Sequence, residues 1–319
     1  MCLVALALDQ SRRFPLVIAA NRDEFFKRPA ARLAWWTPET GGPPVLAGRD
    51  LESGGTWMGL TAPGRLALVT NHRDPGRNDP QAPSRGRIVL DWLADREPSD
   101  RFWMRTALSG YNGFSLVAAD FKRGECFWAS NVQPHPKRLE RGLYGLSNAA
   151  LDTPWPKVQG LKSRLREALI ASDSVDALAS QLFAALADRH AADEVELPST
   201  GVPIAWERAL SPAFIRIPEQ GYGTRCSTLV ITERARRHLI THVFERSFSA
   251  GAGLALLRRS TIRHWPPRYS DDEPARDAEL GEVAESHSPP EAAQQPAAKK
   301  TRVRTLLKPT LPRRVRGAA

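Results

Sequence analysis

The sequence contains few cysteines: Cys2, Cys126 and Cys226 are the three present among 319 residues. No two of them have the C-x-x-C spacing that is typical of zinc sites and redox motifs. An odd, sparse set also argues against a disulfide framework, which needs paired cysteines. The pattern therefore indicates free thiols in a reducing compartment.

Long hydrophobic runs are also missing. No apolar stretch reaches the roughly 18–20 residues that a membrane-spanning helix needs. The first residues lack the basic segment and the small-residue cleavage site of a secretory signal, and Asp9 interrupts their apolar run. We therefore expect a cytoplasmic protein without a membrane span.

Positive charge is concentrated at the end of the chain. The formal net charge is +10, but the stretch from Lys299 onward holds eight basic residues and no acidic ones, so residues 1–298 carry only +2. We expect residues 266–319, which are acidic and rich in Pro and Ala before they become basic, to form a disordered tail. The basic run could contact anionic surfaces or nucleic acid weakly; a purely solvated extension is the alternative.

Short apolar runs and turn signals predict β structure in the first third of the chain. CLVALALD and PLVIAAN form a hairpin pattern around QSRRF, and GGTWMGLT and RLALVTN repeat it around APG. Two amphipathic helices are expected within residues 153–190, and strands return after them. The order of segments predicts an α+β fold for residues 1–265, a four-layer αββα sandwich of two stacked, mainly antiparallel sheets.

Cys2 is the first candidate for chemistry. Once Met1 is removed, Cys2 carries an α-amine with an ordinary pKa of about 7.7–8.0 beside a thiol of about 8.5. A thiol is activated when a base takes its proton, and an amine on the same residue can do so without a histidine. The alternative is a small apolar residue packed at the start of a strand, which is the commoner role of a free cysteine.

The polar segment NRDE at residues 21–24 directly follows the second apolar run. A hairpin of the first two runs brings this segment beside Cys2. Arg22 would then lower the thiol pKa by its positive charge, and Asp23 would hold the ammonium group. A solvated loop is the structural alternative for four polar residues at such a position.

Seven segments together resemble the NRDE family, which is also called transport and Golgi organisation protein two. They follow one another in the family's order between residue 1 and about residue 265, and the combination is specific. The segments are MC at 1–2, NRDE at 21–24, LAGRDLESGGTW at 46–57, ALVTNHRD at 67–74, YNGFSL at 111–116, LSNAALDTPWPKV at 146–158 and GTRCST at 223–228.

This family is in turn similar to the N-terminal nucleophile (Ntn) hydrolases, nearest to the cysteine branch with penicillin V acylase and bile salt hydrolase. The resemblance implies an αββα sandwich that cleaves non-peptide amides. Cys2 would be the nucleophile, the Asn residues would donate hydrogen bonds to the oxyanion, and the Arg residues would keep the thiol ionised. The implied catalytic set is Cys2, Arg22, Asp23, Asn71, Asn148 and Arg225.

One spacing departs from the hydrolase pattern. The hydrolases separate the early Arg and Asp by two residues, whereas Arg22 and Asp23 are adjacent. Adjacent residues on a strand face opposite sides. Either the ends of the segment lie in a turn, or Asn21 and Glu24 take the inward positions.

The resemblance implies two functions. The first is a cysteine amidohydrolase that forms a thioester on Cys2 and requires no cofactor; its partner would be a small-molecule amide. The second is a non-catalytic protein that binds and traffics haem, acyl-CoA or another lipid-like ligand. A flat or apolar ligand would suit the aromatic residues Trp35, Trp36, Trp57 and Trp128, although core packing is the usual role of such aromatics.

We predict that Met1 is absent from the mature chain, because a cysteine at position two is small enough to allow its removal. The mass of the intact purified protein measures this directly. A chain that retains its methionine would have no free amine on Cys2, and the amine-activated mechanism would then be excluded.

Overall fold

The computed structural model describes residues 2–133, 135–236, 238–250, 255–267 and 279–288. These residues form sixteen strands, in chain order β1 (Cys2–Leu8), β2 (Leu16–Phe25), β3 (Ala30–Trp36), β4 (Val45–Asp50), β5 (Met58–Thr61), β6 (Arg65–Asn71), β7 (Phe114–Asp120), β8 (Glu125–Ser130), β9 (Lys137–Arg138), β10 (Gly142–Leu146), β11 (Arg216–Ile217), β12 (Tyr222–Ala235), β13 (His238–Ser247), β14 (Ala255–Arg263), β15 (Glu279–Leu280) and β16 (Ala284–Ser288). The α-helices are α1 (Gly86–Ala94), α2 (Ser99–Ala107), α3 (Pro156–Ala171), α4 (Val175–Leu186) and α5 (Ile204–Ala209).

The strands pair antiparallel in two sheets. The first sheet has the order β10-β1-β2-β12-β13-β14-β15, with β11 added to β12 and β16 added to β14. The second sheet has the order β3-β4-β5-β6-β7-β8-β9. The N-terminal strand β1 therefore lies inside the first sheet, between β2 and β10, and not at its edge.

Side chains of β1 alternate between two hydrophobic cores. Leu3 and Ala5 belong to a core shared with helices α3 and α4, whereas Val4 and Leu6 belong to a core shared with the second sheet. This period of two explains the continuous apolar run in the sequence, because both faces of the strand are covered.

A third core lies on the outer face of the second sheet. There Val89 and Trp92 of α1 pack against Ala67 and Leu116 of β6 and β7. The order of the layers is thus helix, sheet, sheet, helix, and the expected α+β fold of two stacked antiparallel sheets is confirmed. Within the ranges described above, no helix is long and apolar enough to cross a bilayer.

Two features differ from the sequence-based expectation. Strand β14 was not expected, because its sequence contains Arg258, Arg259 and Arg263. Much of the strand is only partly buried, so arginines are compatible with it.

Residues 279–288 fall within the predicted tail, yet β15 and β16 pair with β14 there. Backbone pairing with an open strand supplies a stabilisation that composition does not reveal. The domain boundary near residue 265 stays a prediction, and the basic run lies outside the described residues.

A close backbone contact joins the loop before β5 to the start of α1. A Cβ added at Gly55 would lie 2.6 Å from the carbonyl carbon of Gly86, while one added at Gly160 in α3 would meet nothing within 4 Å. We predict that Gly55→Ala lowers the free energy of unfolding by about 1–3 kcal/mol through overpacking. The matched change Gly160→Ala should raise it by about 0.5–1 kcal/mol. Urea denaturation of both variants measures this, and equal effects would contradict the assigned contact.

Candidate active site

Cys2 is the first residue of β1 and is held by both neighbouring segments. Its backbone lies opposite Arg22 in the β1–β2 ladder, and its carbonyl oxygen accepts a hydrogen bond of 2.9 Å from the hydroxyl of Ser147. These contacts keep residue two from fraying, as chain ends commonly do. The thiol therefore has a defined position at the end of the first sheet.

The thiol of Cys2 is in a mixed electrostatic environment. Burial raises its pKa, and the carboxylate of Asp23 raises it further. The amino terminus, which Met1 carries in the unprocessed chain, acts in the opposite direction, as do Arg22 and a hydrogen bond from the backbone N–H of Asp23. The net shift is upward. Because the resting thiol keeps its proton, a nearby base is needed to make it nucleophilic.

Arg22 lies on the same side of the first sheet as Cys2 and faces the second sheet. Its Nη2 donates a hydrogen bond of 3.1 Å to Oδ2 of Asp50 at the end of β4. Its guanidinium carbon lies 4.4 Å from the centre of the Trp57 ring. The side chain is only 6% exposed, so Arg22 is a buried charge fixed between the two sheets.

Asp23 faces the opposite side of β2, towards the helices. It is buried, and its Oδ1 accepts a hydrogen bond of 2.6 Å from the hydroxyl of Thr224 on β12. Burial raises the pKa of this carboxyl, while the amino terminus and Lys157 lower it. Asp23 is thus close enough to the chain start for the two charges to interact.

The length of β2 decides between a turn and a strand for the NRDE segment. The strand continues to Phe25, so the segment is neither a turn nor a solvated loop. Arg22 and Asp23 approach residue two from opposite faces. Asn21 instead donates to the carbonyl oxygens of Leu186 and Ala213, each at 2.8 Å, and ties the helical layer to the sheet.

Asn71 and Asn148 are brought together across the two sheets. Nδ2 of Asn148 donates a hydrogen bond of 2.8 Å to the backbone oxygen of Asn71, and the hydroxyl of Ser147 lies 3.3 Å from Oδ1 of Asn148. Ser147 thereby connects Asn148 to Cys2. One N–H of the Asn148 amide is used in this contact, and its second N–H is the one that an oxyanion would need.

Arg225 is placed beside Arg22, and strand β2 lies between it and Cys2. It occupies a β-bulge, where the register of β12 against β2 shifts between Thr224 and Cys226. Its Nη1 donates to the carbonyl oxygens of Phe25 and Arg28, each at 2.8 Å. Its guanidinium is therefore held at the carbonyl oxygens of the segment that follows the NRDE residues, one strand away from Cys2.

Sequence reasoning missed a buried polar cluster behind the site. Lys157 near the start of α3 donates a hydrogen bond of 2.8 Å to the carbonyl of Leu210. Burial lowers the pKa of Lys157 to about 8, although the negative charge of Asp23 acts to raise it. Arg73, after β6, forms a buried ion pair with Glu207 of α5. The sequence signal that could have found Lys157 was the PWPKV segment at 154–158, where the lysine follows two prolines and a tryptophan.

Arg85 was also missed. It lies at the start of α1, where its Nη1 donates a hydrogen bond of 3.1 Å to the carbonyl of Gly113. Burial lowers its pKa, and the charges of Cys2 and Glu24 raise it. Arg85, which belongs to the helical layer of the second sheet, therefore interacts electrostatically with the same thiol as Arg22 does. In the part of the chain that the structure describes, no group of three or more His, Cys, Asp or Glu could hold a metal ion.

Comparison with known proteins defines the family. The family model described as Transport and Golgi organisation 2 matches residues 1–250. The chain belongs to this family. Members of the family that are similar to it include the Transport and Golgi organization protein 2 homologs of Bos taurus, 34% identical over 255 residues, and Homo sapiens, 32% identical over 253. Each alignment covers 73% of this chain and 89% of the relative.

The solved structures that are similar to this chain in backbone arrangement belong to other proteins. A Caenorhabditis elegans ortholog of N-acylethanolamine-hydrolyzing acid amidase has a TM-score of 0.42 at 11% identity, covering 72% of this chain and 92% of that one. A variant of conjugated bile acid hydrolase from Clostridium perfringens has a TM-score of 0.40 at 11% identity, covering 78% of this chain and 89% of that one.

The family resemblance noted from the sequence segments is confirmed by the match of the family model to residues 1–250.

The buried lysine predicts a specific pH dependence. Folded Lys157 loses its proton near pH 8, whereas the unfolded side chain keeps it up to about pH 10.5. Between these values the unfolded state binds more protons, so the free energy of unfolding rises with pH. From pH 8 to 10.5 the native chain should gain up to about 3 kcal/mol relative to Lys157→Met.

Urea denaturation across this pH range measures the difference. Lys162→Met is a matched control, because Lys162 lies on the same helix but pairs with Asp152 near the surface. The control should follow the native chain. Parallel pH profiles for the native chain and Lys157→Met would contradict the assigned burial.

Proposed function

We propose that the chain is an Ntn-type cysteine amidohydrolase that cleaves a small non-peptide amide through a thioester on Cys2. The observation that supports this most strongly is the fixed position of residue two, with Arg22 and Asp23 on either side of it. A cysteine with only a packing role needs no such pair of buried charges. The site residues stay predictions until activity is measured.

The first chemical step requires a proton acceptor. After Met1 is removed, the α-amine of Cys2 takes the thiol proton, and sulfur bonds to the carbonyl carbon of the substrate. The resulting ammonium gives its proton to the departing nitrogen as the C–N bond breaks. An amine leaves, and the acyl group stays on sulfur.

Water completes the reaction. The α-amine accepts a proton from the attacking water, whose oxygen bonds to the thioester carbon. The C–S bond then breaks, the acid is released, and the proton returns to sulfur. The buried carboxylate of Asp23 would stabilise the ammonium group that forms in both steps.

The oxyanion of each tetrahedral intermediate needs hydrogen-bond donors. The candidates are the second N–H of Asn148 and the side-chain amide of Asn71, two residues that are in contact across the sheets. A single donor of this kind contributes about 3–4 kcal/mol to stabilisation of the transition state. Ser147 would position Asn148, since its hydroxyl contacts both that residue and the backbone of Cys2.

A panel of small acyl amides, with amine release as the readout, tests the proposal. We expect at least one amide to be turned over by the native chain, and Cys2→Ala to abolish that turnover. Cys126→Ala is the matched control, because Cys126 lies on β8 in the other sheet, and should keep full activity.

Two results would contradict the proposal. One is equal turnover by Cys2→Ala and the native chain. The other is tight binding of haem or an acyl-CoA by both proteins with no turnover of any amide, which would favour the carrier function.

A further inference from the structure

A cavity of about 290 Å³ adjoins the candidate active site. Its lining comes from β2, β12, β13 and β14 of the first sheet, from β3 of the second sheet and from Trp57. In the first sheet it therefore lies on the far side of Arg22 from Cys2. Phe248 and Leu256 add apolar surface to the ring of Trp57, and Arg22 and Arg225 supply charge. The catalytic scheme above gives this cavity no role.

Two arginines that line this cavity each have a side-chain donor with no acceptor among the described residues. Arg22 is 6% exposed, and its Nη2 is used by Asp50, but its buried Nη1 has no hydrogen-bond partner among the described residues. The buried Nε of Arg225 likewise has none there. An unsatisfied buried donor is costly, and more so when it is charged. Both arginines therefore carry donor capacity that the described residues leave unused.

Arg225 is the cation of the lining that would suit an anion. Three arginines line the cavity, with Glu245 as the acidic residue of the described lining. Arg22 pairs with Asp50 and Arg32 with Glu285 outside the lining, whereas Arg225 donates to backbone carbonyl oxygens. Oε1 of Glu245 accepts a hydrogen bond of 2.8 Å from the backbone N–H of Leu33, so this carboxyl is held by the sheet. Burial lowers the pKa of Arg225, and the neighbouring charge of Arg22 lowers it further. An anion between the two guanidinium groups would relieve this repulsion.

We infer that the cavity binds a small monocarboxylate with an apolar body. The guanidinium groups of Arg22 and Arg225 would hold its carboxylate through charge-assisted hydrogen bonds. The apolar body would lie against Trp57, Phe248 and Leu256. The volume is at the small end of ligand pockets, which suits a compact acid. This inference goes beyond the proposed hydrolysis, because it requires no thiol.

Isothermal titration calorimetry with a matched pair of probes tests the inference. The full chain carrying Cys2→Ala is titrated with 4-phenylbutyrate and with 4-phenyl-1-butanol, so the result does not depend on turnover. We expect the carboxylate to bind at least about tenfold more tightly than the alcohol. Equal affinities, or no binding of either probe, would overturn the inference.

Variants of the lining separate the contributions. Arg225→Gln should weaken carboxylate binding about tenfold and leave the alcohol unaffected. Glu245→Gln removes the competing acid and should strengthen carboxylate binding, which tests the site even if Arg225→Gln folds poorly. Arg246→Gln is the matched control: its guanidinium lies 4.1 Å from the ring of Phe183, on the other face of β13, and both affinities should stay unchanged. Native-like carboxylate binding by Arg225→Gln would overturn the assignment.

Discussion

The antiparallel pairing of β1 with β2 fixes the geometry on which the rest of the site depends. The register places Cys2 opposite Arg22, and it is specified strongly because the two faces of β1 enter different cores. A slip of one residue would exchange Leu3 and Val4 between the helical core and the inter-sheet core. Burial of the six residues that follow Cys2 in β1 thus positions the thiol of residue two.

Around this strand the molecule buries an unusual amount of charge. The charges of Asp23 and Lys157 interact behind residue two, and Arg73 pairs with Glu207. Each charge is costly to desolvate, and each is compensated by another or by hydrogen bonds. Such groups with shifted pKa values gather where proton transfer or anion binding is needed, which links the cluster to the proposed chemistry. On the other side, Arg22 connects the thiol to the arginine-lined cavity.

The sequence allowed the β1–β2 hairpin, the stacked sheets and the outer helices to be predicted, because apolar periodicity reports directly which faces are buried. It also placed Asn71 and Asn148 at strand ends, where the structure brings them together. Lys157 and Arg85 could not be predicted as neighbours of Cys2, since a lysine or arginine at a helix start ordinarily faces solvent. Arg225 was predicted beside the thiol, but a β-bulge, which has no clear sequence signal, directs it to the carbonyls beyond Arg22.

The central claim is that the amine and the thiol of residue two act as one unit. The most direct test compares the rate at which iodoacetamide alkylates Cys2 at pH 7 in the processed chain and in a chain made to retain Met1 with an aminopeptidase inhibitor, with adducts located by mass spectrometry. Cys126, whose pKa burial raises to about 12, is the internal reference. Alkylation of Cys2 should be at least about tenfold faster in the processed chain. Equal rates in the two chains, or a Cys2 no faster than Cys126, would contradict it.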